Sequence, residues 1–151
     1  MRWLKYFLVI ILLGVLIQFV PVDRSNPPVS KSVNFVDLQK TPKKIQIILK
    51  TACYDCHSYE TVYPDYAYVA PVSWSVKHHV NEGREHLNFS EWGHLNRDLR
   101  KNMLENAIAD IEQNRMPIAG YMVYHPDARL SLGEKKILVD YLTAVLKSEK
   151  Y

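Results

Sequence analysis

A chain of 151 residues and 17.6 kDa leaves room for one domain, and 48% apolar against 23% charged residues, at a mean hydropathy of −0.19, marks it as globular. The net charge of +3 rests on Arg2 and Lys5; from Asp23 onward 17 basic residues face 16 acidic ones, so no concentrated basic face exists and nucleic acid is excluded as a partner. Two cysteines cannot build a disulfide scaffold.

In chain order, Tyr6 to Val22 runs seventeen residues without a charge, between Arg2 and Lys5 on one side and Asp23 and Arg24 on the other. This is a targeting segment. Phe19 to Val22 offer no small-x-small cleavage site, so residues 1–22 are expected to stay as a transmembrane anchor. At about 1.5 Å per residue such a helix just crosses a hydrocarbon core of roughly 30 Å. Positive residues remain on the cytoplasmic side, which exports everything after Val22. With no Cys near residue 20, a lipoprotein is excluded. Residues 23–40, with Asn26-Pro27-Pro28 and no apolar period, read as a linker, which leaves 41–151 as the folded domain.

Thr41-Pro42 reads as a helix start, and Ile45, Ile48, Leu49 and Ala52 recur at helical spacing into Cys53. A second helix is predicted from about Pro71 to Gly83, with Val72, Val76, His79 and Val80 on one face. A third is predicted from Asp98 to Asn114. Ser131-Leu132-Gly133-Glu134 fits a capping box ahead of a last amphipathic helix carrying Ile137, Leu138, Tyr141, Leu142, Val145 and Leu146. No stretch alternates over a strand's length, so the fold class is all-α. The connections at 58–70, 84–97 and 115–130 are long for a small domain unless they wrap something.

Cys53-Tyr54-Asp55-Cys56-His57 is C-x-x-C-H, the attachment signature of c-type haem. Two thiols at this spacing reach both vinyl groups of one porphyrin, and the following imidazole points at the iron. The 11% of aromatic residues, ten of them Tyr and three Trp, suits a large planar ligand. Other uses of the cysteines fit less well. A thioredoxin-like pair needs a βαβ context, and structural zinc needs a second close ligand pair, which the adjacent His78-His79 do not make. For the sixth iron position Met116 is the first candidate, because it leaves the third helix ahead of Pro117, which restricts the residue before it to extended conformations. Met103 reads as core and Met122 as the nearest Met competitor. His79, His86, His94 and His125 are imidazole alternatives, with His79 and His125 foremost.

The chain resembles a c-type cytochrome, and more narrowly the bacterial haem-binding domain family. The likeness is carried by Cys53–Ser58, Tyr63-Pro64, Ala70–Trp74, His79–Trp92 and Met116–Leu132. It implies a small cytochrome c-like helical domain wrapping one covalently held haem c, with Cys53 and Cys56 as attachment points and His57 as proximal ligand. By the same likeness Met116 stands where the Met-Pro loop of cytochromes c carries the distal ligand, and Ala70-Pro71 where a proline loop supplies a carbonyl to the proximal imidazole. Trp74, Arg84 and Trp92 carry N–H donors and are candidates for propionate contacts. The resemblance further implies electron delivery to respiratory-chain partners or a di-haem peroxidase, from the periplasmic face of the inner membrane. An electron carrier is the first expectation, not an enzyme. A haem-based sensor or a peroxidase-associated domain with a displaceable sixth ligand is the rival.

Overall fold

The computed structural model describes residues 2–148, and every regular element in it is helical. Helix α1 (Arg2–Leu16) continues as a 3-10 turn over Ile17–Phe19 and buries none of its residues. Its apolar side chains cover the whole circumference, the pattern of a helix made for an apolar solvent. Residues 2–19 have a mean hydropathy of 1.8, and at about 1.5 Å per residue they reach roughly 27 Å. Among the described residues this is the one helix long and apolar enough to cross a membrane.

The stretch read as a linker, residues 23–40, packs on the domain in two places, the first continuous with Gln18 of the segment before it. Gln18 and Ala70 exchange two hydrogen bonds, side-chain Nε2 to carbonyl at 3.1 Å and backbone N to Oε1 at 2.9 Å. Arg24 donates to the Ala67 carbonyl at 2.8 Å and lies 4.4 Å above the Tyr68 ring, and Asn26 donates to the Thr61 carbonyl at 2.8 Å. This part of the chain is strapped to the domain. Further on, helix α2 (Phe35–Leu38) puts Phe35 wholly inside the core and Val36 nearly so. A single turn is too short to show a helical period, which is why the sequence hides it.

Helix α3 (Lys43–Ala52) buries the expected stripe of Ile45, Ile48, Leu49 and Ala52. Its start differs from expectation: Pro42 takes the cap position, and the Thr41 hydroxyl bonds the Tyr141 hydroxyl at 2.8 Å, tying α3 to the last helix. The one-turn helix α4 (Tyr54–His57) follows at once, then α5 (Val72–His86), α6 (Arg97–Glu112), α7 (Ala119–Tyr124) and α8 (Leu132–Ser148). Helix α5 outruns the prediction by a turn, ending where Leu87 becomes extended. The capping box forms as read: Ser131 N donates to Glu134 Oε2 at 2.9 Å and Glu134 N to Ser131 Oγ at 3.2 Å. The long connections hold 3-10 turns at Asp65–Tyr68, Phe89–His94 and Pro126–Ala128.

The core joins Leu49, Leu104, Leu138 and Leu142 to a cluster of aromatic rings. Phe35 meets Trp92 edge-on at 5.0 Å, and Phe89 stacks on Tyr54 at 5.2 Å. Trp92 is completely buried there as a core ring, with its indole N–H meeting no partner among the described residues. The 88–94 turn sets it inward, with Asn88 Oδ1 accepting from Ser90 N at 3.0 Å and Gly93 N reaching the Val33 carbonyl at 2.7 Å.

Candidate functional site

At Cys53 the helical path breaks, with φ −129° and ψ −40°, and its carbonyl then accepts from both Cys56 N (3.2 Å) and His57 N (2.9 Å). Two thiols and an imidazole are thereby packed into one turn. That turn is braced by neighbours. The Asp55 carboxylate accepts from Tyr121 OH at 2.7 Å and from Val62 N at 2.9 Å, and its carbonyl accepts from Thr61 Oγ1 at 2.6 Å. Ser58, fully buried, donates its hydroxyl to the Tyr54 carbonyl at 2.7 Å.

His57 Nδ1 lies 2.8 Å from the Gly83 carbonyl and 3.0 Å from that of Leu87. Carbonyls only accept, so the hydrogen-bond network assigns the proton to Nδ1 and leaves Nε2 with its lone pair free. Burial pushes the imidazole below its ordinary range, ahead of the opposing pull of the two carbonyls, so the ring is neutral at pH 7. The acceptors come from the end of α5 and not from Ala70-Pro71, whose carbonyl on Ala70 is taken by Gln18 while Pro71 lies exposed. That expectation is corrected. Gly83 is what allows α5 so close: a Cβ there would stand 2.5 Å from the Cys56 carbonyl oxygen. Sequence reasoning used Gly83 only as a helix end, although an isolated glycine inside a helical pattern is itself a sign of close packing.

Cys53, Cys56 and His57 border one cavity of about 550 Å³, walled by apolar side chains such as Leu49, Phe89, Ile111 and Leu142. That volume falls within the roughly 300–1,000 Å³ of small-molecule and cofactor sites. Burial first, with the Cys56 charge second, pushes the Cys53 thiol up to about 12. Cys56 is pushed up to about 11 by burial and then Asp55. Both are held as thiols, poor as nucleophiles and as zinc ligands until a proton is removed. Among the described residues no three His, Cys, Asp or Glu side chains converge as a metal cage. A neutral imidazole and two S–H groups facing an apolar cavity of this size fit a haem, since a thioether forms by addition of S–H across a vinyl C=C.

Met116 and Pro117 line the same cavity, and Met116 leaves the helix with its N–H on the Asp110 carbonyl at 3.2 Å. Met103, read as core, packs on the core and also lines the cavity, so a second thioether is present that periodicity assigned elsewhere. Met122 does not border it. Of the imidazoles, His86 and His79 do, with His79 Nδ1 3.6 Å from Glu82 Oε2. His125 borders only a neighbouring cavity of about 230 Å³; its Nε2 is 2.7 Å from Tyr66 OH and its ring stacks on Tyr121 at 4.2 Å. His94 is exposed and pairs with Glu91 at 2.6 Å. Trp74 borders neither cavity. Nor does Arg84, whose guanidinium donates to the Ser58 carbonyl (2.8 Å), Asn26 Oδ1 (2.7 Å) and Thr61 Oγ1 (3.0 Å). With these bonds Arg84 clamps the turn that follows His57.

A family model described as a haem-binding domain matches residues 12–144, most of the chain. No curated protein and no solved structure matches it.

Proposed function

The chain belongs to the haem-binding domain family, and from that premise we propose a membrane-anchored monohaem c-type cytochrome that transfers electrons on the periplasmic side of a bacterial inner membrane. Cys53 and Cys56 would hold the porphyrin through thioethers, and His57 and Met116, which line the same cavity, would bind the iron. Redox proteins of a respiratory chain or a di-haem peroxidase are its partners. The observation that carries this reading is His57: its Nδ1–H is held by two backbone carbonyls, and its ring borders the cavity that both thiols face.

Haem, when bound, supplies a one-electron iron centre. The chain supplies the rest. Gly83 and Leu87 orient the imidazole and strengthen it as a donor. Leu49, Phe89, Ile111 and Leu142 exclude water, which limits charge solvation around the metal. Met116, as a thioether ligand, would raise the reduction potential and close the iron to substrates.

Protein exported and matured with haem-attachment machinery tests this. Haem should stay on the polypeptide through denaturing electrophoresis and acid-organic extraction, and the oxidised protein should be low-spin with the weak far-red thioether-to-iron band. Met116→Ala should lose that band, lower the potential and admit cyanide. A wild type without the band, whose spectrum changes in His79→Ala, replaces Met116 by imidazole. A high-spin wild type that binds carbon monoxide at once replaces the carrier by a sensor or peroxidase-associated domain.

A further inference from the structure

The end of the apolar N-terminal helix is fixed to the domain by a reciprocal pair of hydrogen bonds between Gln18 and Ala70. Gln18 is the last residue but one of the 2–19 apolar span, so where that span crosses a bilayer Gln18 lies at the exit of the hydrocarbon layer, and Ala70 lies at the same depth. The headgroup region beyond is only about 5–7 Å deep on each side. Around Ala70 the domain exposes apolar side chains that the described residues leave partly open: Tyr68 (60%), Val69 (55%), Val72 (44%) and Trp74 (38%), with Val62 (74%) near the strap. Each of the first four lies within four residues of Ala70, at no more than about 3.8 Å per residue.

We propose that this face is seated in the headgroup layer of the membrane that α1 crosses, so that the domain docks on the lipid surface instead of hanging from a tether. The inference rests on reading α1 as an anchor. Tyr and Trp belong to this layer because a ring with an apolar body and a polar edge satisfies both of its sides. The cations fit too. Arg24, held over Tyr68 and bonded to the Ala67 carbonyl, and Lys77, one turn beyond Ser73 on α5, stand at the patch edge facing anionic headgroups. The acids of this region are Asp23, whose carboxylate accepts from Ser25 N at 2.8 Å, Asp65, Glu60, which is paired with Lys50 at 2.6 Å, and Asp55, whose carboxylate accepts from Val62 N and Tyr121 OH. The strap sets the orientation: Arg24, Asn26 and Gln18 are bound to three different points of the 61–70 segment, which leaves little freedom to swing the patch away.

The experiment uses the full-length haem protein in nanodiscs of phosphatidylethanolamine and phosphatidylglycerol that contain a phospholipid with a diazirine on its acyl chain next to the glycerol. After irradiation, lipid adducts are mapped by mass spectrometry. Expected are adducts on residues 2–19 and on 62–77, with none on 97–112 or 132–148. The Tyr68→Ser/Val69→Asp protein should keep its adducts on 2–19 and lose those on 62–77 several-fold, with an unchanged haem spectrum because neither residue borders the His57 cavity. Adducts on 2–19 with none on 62–77 would overturn the docking and leave the anchor standing. Absence of adducts on 2–19 would overturn both. Lys77-to-Lys77 cross-links between copies under an added amine-reactive bifunctional reagent, with no lipid adducts on 62–77, would assign the face to a second copy of the chain and so overturn a lipid partner.

Discussion

Replacing Gly83 by Ala perturbs the point where α5 meets the C-x-x-C-H turn. The new Cβ would lie 2.5 Å from the Cys56 carbonyl oxygen and 3.0 Å from both Cys56 C and Cβ. These are backbone atoms and the root of a side chain, so no flexible tip can yield. Restoring the 3.4 Å of ordinary contact requires α5 and α4 to part by about 0.9 Å. Moved along the same line, the 2.8 Å bond from His57 Nδ1 to the Gly83 carbonyl stretches to about 3.7 Å, beyond hydrogen-bonding distance. Overpacking of this kind typically costs about 1–3 kcal/mol and the lost bond about 1 kcal/mol, while exchanging Gly for Ala inside a helix returns up to about 1 kcal/mol. The net loss is about 1–4 kcal/mol, a fall in melting temperature of roughly 5–20 °C for a domain near 100 residues. Differential scanning calorimetry of the matured protein reads the stability, and the optical spectrum with a redox titration reads the imidazole. With less hydrogen bonding to Nδ1 the proximal nitrogen becomes a weaker donor, so the potential should rise. Gly120→Ala, where nothing lies within 4 Å of the new Cβ, is the control and should leave both readouts in place. A Gly83→Ala protein with wild-type melting temperature and wild-type potential would refute the close-approach argument.

Two other predictions concern Arg84 and Trp92. Arg84→Met removes three hydrogen bonds to Ser58, Thr61 and Asn26, and with its partial exposure discounted should cost about 1–2 kcal/mol in denaturant unfolding. The absorption maxima should not move, whereas a propionate contact would show as a changed haem environment. Trp92→Ala should cost about 3–5 kcal/mol at an unchanged denaturant slope. Trp92→Phe should cost less than about 1.5 kcal/mol because it also removes the unpartnered indole N–H; equal losses for the two would contradict a simple packing role.

Some of this molecule is written in residue types and spacing. The stripe of Ile45, Ile48, Leu49 and Ala52, the Ser131–Glu134 box and the exit of Met116 ahead of Pro117 were legible because each is a local pattern with one cheap conformation. The His57 acceptors were not, since a backbone carbonyl has no side-chain signature and any residue could occupy position 87. Trp92 and Arg84 show the same gap from the other side. Their N–H groups advertise hydrogen bonding, but only the packing of the 88–94 turn and of the strap decides which acceptor, if any, they meet. Met103 defeats periodicity for a geometric reason: a cavity wall and a core contact lie on the same helix face.

The helical turn at Asn34–Leu38 also decides where this protein can be cut. A fragment beginning at Thr41, the start of the domain by composition, would leave behind a phenylalanine ring that touches both Trp92 and Phe89. It would open a ring-sized gap between those two residues and expose their faces to water, inviting self-association through the wound. Excision upstream of Asn34 retains that ring. Because the strap bonds Arg24 and Asn26 to the 61–67 segment, a cleavage that frees the protein from its hydrophobic leader and spares its solubility belongs in the few residues between Phe19 and Asp23.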